Sequence, residues 1–432
     1  MGQVTLLRQS SLSLLMKAGL VLFVLFICEL FFFGSGLHYS IDWLTPRKAI
    51  FCLFSIIAFI YFCASQDSSK QLSIQVLFAW TLYFLIWIVI LWLVEARPFS
   101  YGLRDALPLV GVMVFYLSNQ MLAKNNGWKT IRKWLAGLIF GYAVLHIVIF
   151  VIGFYSVDLV IQVSSFLQEF MEQVDFEVPT SVFIQPLESG LTRVYFVGSC
   201  MLLVGLYFSL GIYQKRKFYG TVYLVVICLG LCATLTRSFL LASLTYFFVL
   251  LSFKLFFRDA KLTVGLLTVL IISPFFLSFL ILFAIEPSLL AAIGMDRAGS
   301  DELRYEQLQP LLNAFFDSPL WGHGFGLSVE PIRNEDGPYS YELSIVALLA
   351  KLGVLGLSLA GLILGISIHM LNDDAKAPPR AAQLYGIYFA FIIGSFFNPY
   401  LFSFYGTLFL LFILFEYSNL CWTTSLNKKK II

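Results

Sequence analysis

The chain has 432 residues, of which 59% are hydrophobic and only 12% are charged. So few polar groups cannot cover soluble domains of this total size. The composition therefore excludes an ordinary soluble protein and predicts an all-α, polytopic transmembrane helix bundle. The formal net charge of +3 is too small to indicate a nucleic-acid partner.

The length of the apolar stretches predicts about twelve membrane spans in a single membrane domain over residues 1–432. A span needs about 20 mostly apolar residues, because each residue advances about 1.5 Å across a core of about 30 Å. Residues 218–253 are too long for one span, which predicts a turn near Arg237. One tilted helix with a re-entrant segment is the alternative. The predicted spans are 14–34, 49–65, 72–94, 104–123, 134–154, 191–213, 218–234, 237–253, 262–285, 341–370, 381–397 and 400–419.

Basic residues accumulate in alternate loops, which the positive-inside rule assigns to the cytoplasm. The loop 156–190 carries six acidic and no basic residues, and it falls in the opposite set together with the long segment 286–340. We therefore expect two extracytoplasmic loops, of which 286–340 contains a short amphipathic helix and forms part of the active site. Arg47 and Lys48 are exceptions to the rule. The basic loop residues are Arg8, Lys17, Lys124, Lys129, Arg132, Lys133, Lys215, Arg216, Lys217, Lys254, Arg258, Lys261, Lys376, Arg380 and Lys428 to Lys430.

Motifs for nucleotides and metals are absent from the sequence. The chain has no GxxxxGK[ST] loop, and the glycine-rich segment Gly322 to Gly326 has neither a preceding strand nor the third glycine of a dinucleotide fingerprint. This segment is predicted to be a backbone turn beside a binding site. The histidines and cysteines show no metal-ligand spacing, so neither a metal nor a cofactor is expected.

Three arginines stand out by their position on the predicted outer side: Arg193, Arg237 and Arg304. Guanidinium groups match phosphate oxygens through paired hydrogen bonds, which favours binding of a diphosphate. In a partly dry site they would also stabilise the negative charge on a departing diphosphate. The alternative for each is an ordinary interfacial anchor.

The order of motifs in the second half of the chain resembles the O-antigen ligase and polymerase superfamily. An amphipathic helix over 301–316 is followed by Pro-Leu-Trp-Gly-His-Gly-Phe-Gly at 319–326. A polar residue, Glu342, then opens a span that continues to Gly353 and Gly356. The similarity extends to Gly-Leu-Thr-Arg at 190–193, Leu-Thr-Arg-Ser at 235–238 and Asn-Pro-Tyr at 398–400. The first five spans match only in hydrophobicity.

This resemblance implies a metal-independent glycosyltransferase at the periplasmic face of the bacterial inner membrane. Such a protein moves a glycan from a polyprenyl (undecaprenyl) diphosphate carrier to an acceptor hydroxyl on a lipid-linked glycan. Membrane lipids and a chain-length regulator would be further partners. Arg193 and Arg237 would take the diphosphate-binding roles, Arg237 would also assist catalysis, and Arg304 would act from the loop.

Two residues are candidates for the general base. Ligases of this family typically place a histidine eleven residues before the position of Gly353, where this chain has Glu342. A carboxylate can also activate an acceptor hydroxyl, although Glu342 fits equally a helix-start carboxylate favoured by the dipole. His323 is the second candidate, with a plain surface-loop histidine as the alternative. Tyr305, Trp321, Tyr339 and Tyr341 are candidates for weaker glycan contacts.

The missing ligase-type histidine favours a polysaccharide polymerase of the O-antigen type that joins lipid-linked repeat units. An O-antigen ligase that transfers glycan to the lipid A core is the close alternative. From a different class, the chain could be a lipid-linked oligosaccharide flippase or another transporter. No internal repeat supports a transporter, and the notable polar residues crowd one side of the predicted membrane. A structural or sensing membrane protein is a further alternative.

Overall fold

The computed structural model describes most of the chain. The described residues belong to two compact units. The first unit comprises Met1–Ala64, Met121–Asp296 and Tyr385–Phe391, and the second comprises Ser65–Gln120, Arg297–Leu384 and Ile392–Ile432. The described residues are 2–33, 46–65, 70–95, 99–122, 127–156, 158–159, 161–162, 165, 182–186, 192–256, 298–332, 338–370, 380–396 and 403–429.

The described part of the chain is almost entirely helical, as the composition predicts. In chain order its α-helices are α1 (Gly2–Phe33), α2 (Pro46–Ala64), α3 (Lys70–Glu95), α4 (Phe99–Leu122), α5 (Gly127–Tyr155), α6 (Leu202–Tyr213), α7 (Lys217–Ala233), α8 (Arg237–Phe256), α9 (Ala298–Asp317), α10 (Ser344–Met370), α11 (Ala381–Phe396) and α12 (Phe404–Lys429).

Four of these helices are long and apolar enough to cross a membrane. The stretches are Ser10–Phe31, Ser73–Ile90, Gly127–Tyr155 and Ser344–Gly365, and most of the other helices are shorter apolar segments. The prediction of a helical membrane protein is therefore confirmed. The predicted span 262–285, most of the acidic loop 156–190 and the motif 398–400 lie outside the described residues.

The predicted turn near Arg237 is confirmed, because α7 ends at Ala233 and α8 begins at Arg237. Leu235 adopts a left-handed conformation with φ 44° between the two helices. The buried threonines on either side brace the turn: the Thr234 hydroxyl donates to Leu231 O at 2.7 Å, and the Thr236 hydroxyl donates to Thr234 O at 3.0 Å.

A β-hairpin occupies part of the region where the sequence predicts a span from residue 191. Strand β1 (Val182–Pro186) pairs antiparallel with β2 (Thr192–Phe196), and a short 3₁₀ turn (Val197–Met201) leads into α6. The helix prediction is thus wrong for β2. Its sequence alternates, with Val194 and Phe196 buried while Arg193 and Tyr195 are partly exposed, and this period of two favours a strand.

In the second unit, α9 packs along the first turns of α10. Their shared core contains Leu311 and Ala314 from α9, Leu327 and Tyr341 from the connection, and Leu343, Val346, Ala347 and Ala350 around the start of α10. Burying such side chains stabilises the pair by about 1.5–3 kcal/mol for each large residue. The packing fixes the position of the polar residues on the same two helices.

Candidate functional site

An ion pair joins α9 to the segment that opens α10. Arg304 Nη2 lies 2.8 Å from Glu342 Oε2, and the two side chains are only 16% and 10% exposed. Gln307, one turn further along α9, accepts a hydrogen bond from the Glu342 backbone N–H at 3.2 Å. The Gln307 amide in turn donates to Pro331 O at 3.3 Å. The Glu342 side chain is therefore held beside the Arg304 guanidinium, and its backbone is fixed by the same helix, α9.

The glycine-rich segment forms the predicted turn. Gly322, Gly324 and Gly326 have φ values of 67°, 87° and 90°, a region that side chains with a Cβ atom rarely occupy. The Ser318 hydroxyl donates to Gly322 O at 3.0 Å and closes the entry to the turn. The alternating glycines therefore satisfy a backbone requirement of this segment.

This turn docks onto a break in α10 at Gly353, where φ is 62° and ψ is −176°. His323 N donates to Ala350 O at 3.0 Å and Gly324 N donates to Lys351 O at 2.7 Å, so the turn pairs with carbonyls that the broken helix leaves open. In return, Val354 N donates to Pro319 O at 2.9 Å. A Cβ atom on residue 353 would lie 2.4 Å from Leu320 O, which requires glycine there.

His323 lies within this turn and is half-buried. Its Nε2 lies 2.8 Å from Ala314 O, and because a carbonyl only accepts, the imidazole donates at that nitrogen. Ala314 is in the last turn of α9, and its carbonyl also accepts the Ser318 N–H at 3.4 Å. The ring of His323 therefore helps to close the C-terminal end of α9.

A second, fully buried ion pair lies beneath the turn. Lys351 Nζ is 2.7 Å and 2.9 Å from the two carboxylate oxygens of Asp105 in α4, and it also donates to Tyr339 O at 2.8 Å. Asp105 Oδ2 in addition accepts the Gly326 N–H at 2.7 Å. One carboxylate thus connects α4, the glycine turn and α10.

The four aromatic candidates have different environments. Tyr341 is buried in the α9–α10 core, where its hydroxyl accepts the Val329 N–H and lies 3.3 Å from Leu327 O. Tyr339 is half-buried, and burial together with the Asp105 carboxylate raises the pKa of its phenol above the usual value, so the phenol stays protonated. Tyr305 and Trp321 are exposed.

In the first unit, an aromatic pair connects Arg193 to the helix that Arg237 opens. The guanidinium carbon of Arg193 lies 5.2 Å from the ring centroid of Tyr195, and that ring stacks at 6.3 Å on Phe239 in α8. The Nε atoms of Arg193 and Arg237 are both buried. Since Arg237 is the first residue of α8, its charge adds to the positive end of the helix dipole. This end of the unit is therefore electropositive.

A buried histidine anchors the strand that carries Arg193. His146 Nδ1 donates to Tyr142 O at 2.7 Å, so the neutral ring accepts the Ser199 hydroxyl at Nε2, 2.8 Å away. Ser199 Oγ in turn accepts the Phe196 N–H at 3.0 Å. The network ties the end of β2 to α5.

Several residues that build the site were missed in the sequence. The Asp105–Lys351 pair had one available signal: an ionisable residue inside an otherwise apolar stretch, as Lys351 is, usually has a buried partner. The sequence does not identify that partner, because Asp105 lies 246 positions away. The hydrogen bond between His146 and Ser199 also had no sequence signal.

The comparisons with known proteins bear on the second half of the chain. Residues 222–361 match the family model described as O-antigen ligase, which covers about a third of the chain and is consistent with the O-antigen ligase and polymerase superfamily. The matched segment includes Arg237, Arg304, the glycine turn and Glu342, whereas Arg193 lies before it. No curated protein and no solved structure matches the chain.

Proposed function

We propose that this chain is a polysaccharide polymerase of the O-antigen type, which transfers a glycan from a polyprenyl diphosphate carrier to a lipid-linked repeat unit outside the cytoplasm. The match to the O-antigen ligase family supports a membrane protein of glycan transfer. The observation that carries the proposal is the ion pair of Arg304 with Glu342 at 2.8 Å, which lies where the start of α9 meets the segment that opens α10.

In the proposed reaction, the acceptor hydroxyl attacks the anomeric carbon of the donor sugar. The bond from that carbon to the diphosphate oxygen breaks, and its electron pair leaves with the carrier diphosphate. The hydroxyl proton passes to the Glu342 carboxylate and from there to water. An ionised carboxylate becomes neutral when it accepts this proton, so Glu342 is sufficient as the base.

Arg304 would respond to the arriving donor. A diphosphate has more negative charge than one carboxylate, so it competes for the guanidinium and frees Glu342 to accept the hydroxyl. Arg193 and Arg237 would bind the diphosphate and stabilise its charge as it departs. Tyr305 and the neutral phenol of Tyr339 are suited to contact the sugars, whereas the contact of His323 with Ala314 O favours a supporting role in the turn.

The test compares variants in a strain that lacks the chromosomal copy, with the length of surface glycan as the measurement. We expect Glu342→Gln to abolish polymer, since the amide can still accept a hydrogen bond from Arg304 but cannot take a proton. The matched control is Glu302→Gln, an exposed carboxylate on α9, the helix that carries Arg304, and it should leave polymer unchanged. Full-length polymer in Glu342→Gln cells would exclude Glu342 as the base.

Variants of the arginines provide the second part of the test. Removing one group that stabilises transition-state charge typically lowers kcat by about 10²- to 10³-fold, so Arg193→Ala and Arg237→Ala should reduce polymer severely. Arg216→Ala is the control, because Arg216 lies on an exposed turn beside Tyr219. If both test variants kept glycan length and attachment while flux of the lipid-linked donor fell, a flippase or other transporter would replace the enzyme.

A ligase is the second candidate, favoured by the description of the matching family. The same strain distinguishes the two activities. Single repeats attached to the lipid core, without polymer, are the expected result for a missing polymerase. Polymer that accumulates on the carrier would instead identify a ligase. Neighbouring genes for glycosyltransferases and a flippase would favour the polymerase, and a lipid A core cluster the ligase.

A further inference from the structure

The exposed face of α9 changes from polar to apolar along its length. Before its last turn, the helix exposes Glu302, Tyr305, Glu306, Gln309 and Asn313. The C-terminal end and the residues after it instead expose Phe316, Leu320 and Trp321, which are 68%, 58% and 51% accessible. Exposed apolar side chains of this size in one place indicate an interaction surface.

This apolar surface continues onto the membrane-spanning part of α10. Leu355 N donates to Leu320 O at 2.9 Å and Val354 N donates to Pro319 O at 2.9 Å, so the end of α9 is fixed directly beside these residues. Val354 and Leu355 are also exposed, and both lie inside the stretch Ser344–Gly365 that is long and apolar enough to cross a membrane. The exposed apolar surface of this candidate span therefore extends to Leu320 and Trp321.

The level of the glycine turn along the candidate membrane spans follows from the helix residues that it contacts. Ala350, which accepts the His323 N–H, lies six residues after Ser344, or about 9 Å along a helix with a rise of 1.5 Å per residue. The turn also contacts α3 at Trp87, which lies inside the candidate span Ser73–Ile90: the Trp87 indole N–H donates to Trp321 O at 3.0 Å. The turn is thus level with residues inside two spans.

The backbone of the turn has the pairing that a membrane requires. Non-helical backbone at membrane depth is tolerated only where its polar groups are satisfied within the protein. The five N–H groups of residues 322–326 all donate within the second unit: to Ser318 O, Ala350 O, Lys351 O, Trp87 O and Asp105 Oδ2. Asp317 is exposed at the edge of the apolar surface, the position expected for a carboxylate at the boundary between acyl chains and headgroups.

We propose that the end of α9 and the glycine turn are inserted into the lipid bilayer, with Phe316, Leu320 and Trp321 in contact with acyl chains. Part of the segment predicted as an extracytoplasmic loop is then a lipid-binding surface, and the polar N-terminal half of α9 lies outside the membrane. Trp321, expected from the sequence to contact glycan, instead contacts lipid. The proposal is independent of the reaction that the protein catalyses.

Site-directed spin labelling tests this placement in vesicles of phosphatidylethanolamine and phosphatidylglycerol. The seven native cysteines are replaced by alanine, and a label is attached at Leu320→Cys, just after α9, or, as the matched control, at Gln309→Cys within α9. Gln309 lies eight residues before the end of α9 at Asp317, about 12 Å along the helix. We expect the ratio of collisions with oxygen to collisions with a water-soluble nickel chelate to be several-fold higher at 320 than at 309.

Two results would overturn the proposal. Equal access of the nickel chelate to both labels would place the turn in water. An immobile label at 320 that neither reagent reaches would show that protein covers the surface, either a second copy or another chain.

A second measurement keeps the test valid if the cysteine-free protein does not fold. In vesicles of brominated phosphatidylcholine, Trp321→Phe should remove part of the lipid-quenched tryptophan emission of the otherwise native chain. Trp128→Phe, at a fully buried tryptophan, should remove none of it. Unchanged quenching in Trp321→Phe would contradict the proposal.

Discussion

The buried pair of Lys351 and Asp105 gives the sharpest prediction about stability. Lys351 makes three short contacts, at 2.7 Å and 2.9 Å to Asp105 and at 2.8 Å to Tyr339 O. Lys351→Met has a similar volume but leaves the Asp105 carboxylate with the Gly326 N–H and no cation. Removing one partner of a buried pair typically costs about 3–5 kcal/mol, or two to nearly four orders of magnitude in the folding equilibrium.

The double variant separates the interaction between Lys351 and Asp105 from the cost of burying either charge without its partner. In Asp105→Asn with Lys351→Met no uncompensated charge is buried, and the asparagine side-chain oxygen can still accept the Gly326 N–H. We therefore expect the double variant to be more stable than the sum of the two single variants by about 2–3 kcal/mol. The free energy of unfolding, measured by titrating purified protein in mild detergent with a denaturing detergent, gives all four values of the cycle.

A strictly additive double variant would refute this reasoning, because it would mean that the two groups do not interact in the folded protein. The control is Gln309→Met on the exposed face of α9. The Gln309 side-chain amide donates to the exposed Asn313 side chain at 2.9 Å, and replacing such a surface contact should alter stability by less than about 0.5 kcal/mol.

Two further predictions concern the backbone and the buried histidine. Gly353→Ala should lower the unfolding temperature, because φ is 62° and the new Cβ atom would lie 2.4 Å from Leu320 O, whereas Gly361→Ala meets no atom within 4 Å and should be neutral or slightly stabilising. Equal unfolding temperatures for the two would contradict the docking at the helix break. Ser199→Ala should cost about 1–3 kcal/mol, since it leaves His146 and a backbone N–H buried without their partner. Ser243→Ala removes only a bond to its own helix and should be near neutral, so similar losses in both would refute the network.

The sequence predicts those features of the fold that depend on length and local conformation. A run of 36 residues at 218–253 is too long to cross a bilayer once, and its polar interruption at Thr234, Thr236, Arg237 and Ser238 predicts a turn near Arg237. The alternating glycines likewise predict a turn, because only glycine adopts positive φ at little cost. Both features are present in the structure.

What the sequence does not predict are contacts between distant segments. Strand β2 lies in an apolar stretch long enough for a membrane span. The length criterion therefore predicted a helix there and overlooked the alternation of buried and partly exposed side chains that is typical of a strand. Asp105 is unremarkable among the residues near the start of α4, and only the folded chain shows that it holds Lys351. Glu342 was identified through its distance from Gly353, but the ion pair with Arg304 depends on how α9 packs against α10.

The packing of α9 and α10 explains why the motifs of the second half occur in this order and spacing. The two helices run side by side in the same direction, with Arg304 beside Glu342 at one end and Pro319 beside Val354 at the other. From Glu342 to Gly353 the chain advances about 16 Å, and α9 covers a similar distance from Arg304 to its end. One inserted residue between Glu342 and Gly353 would rotate the carboxylate by about 100° away from Arg304 while the turn stayed docked. The eleven-residue interval between Glu342 and Gly353 therefore sets the alignment of the two helices. The docked glycine turn fixes one end of this interval, and the Glu342 carboxylate then lies beside Arg304 at the other end.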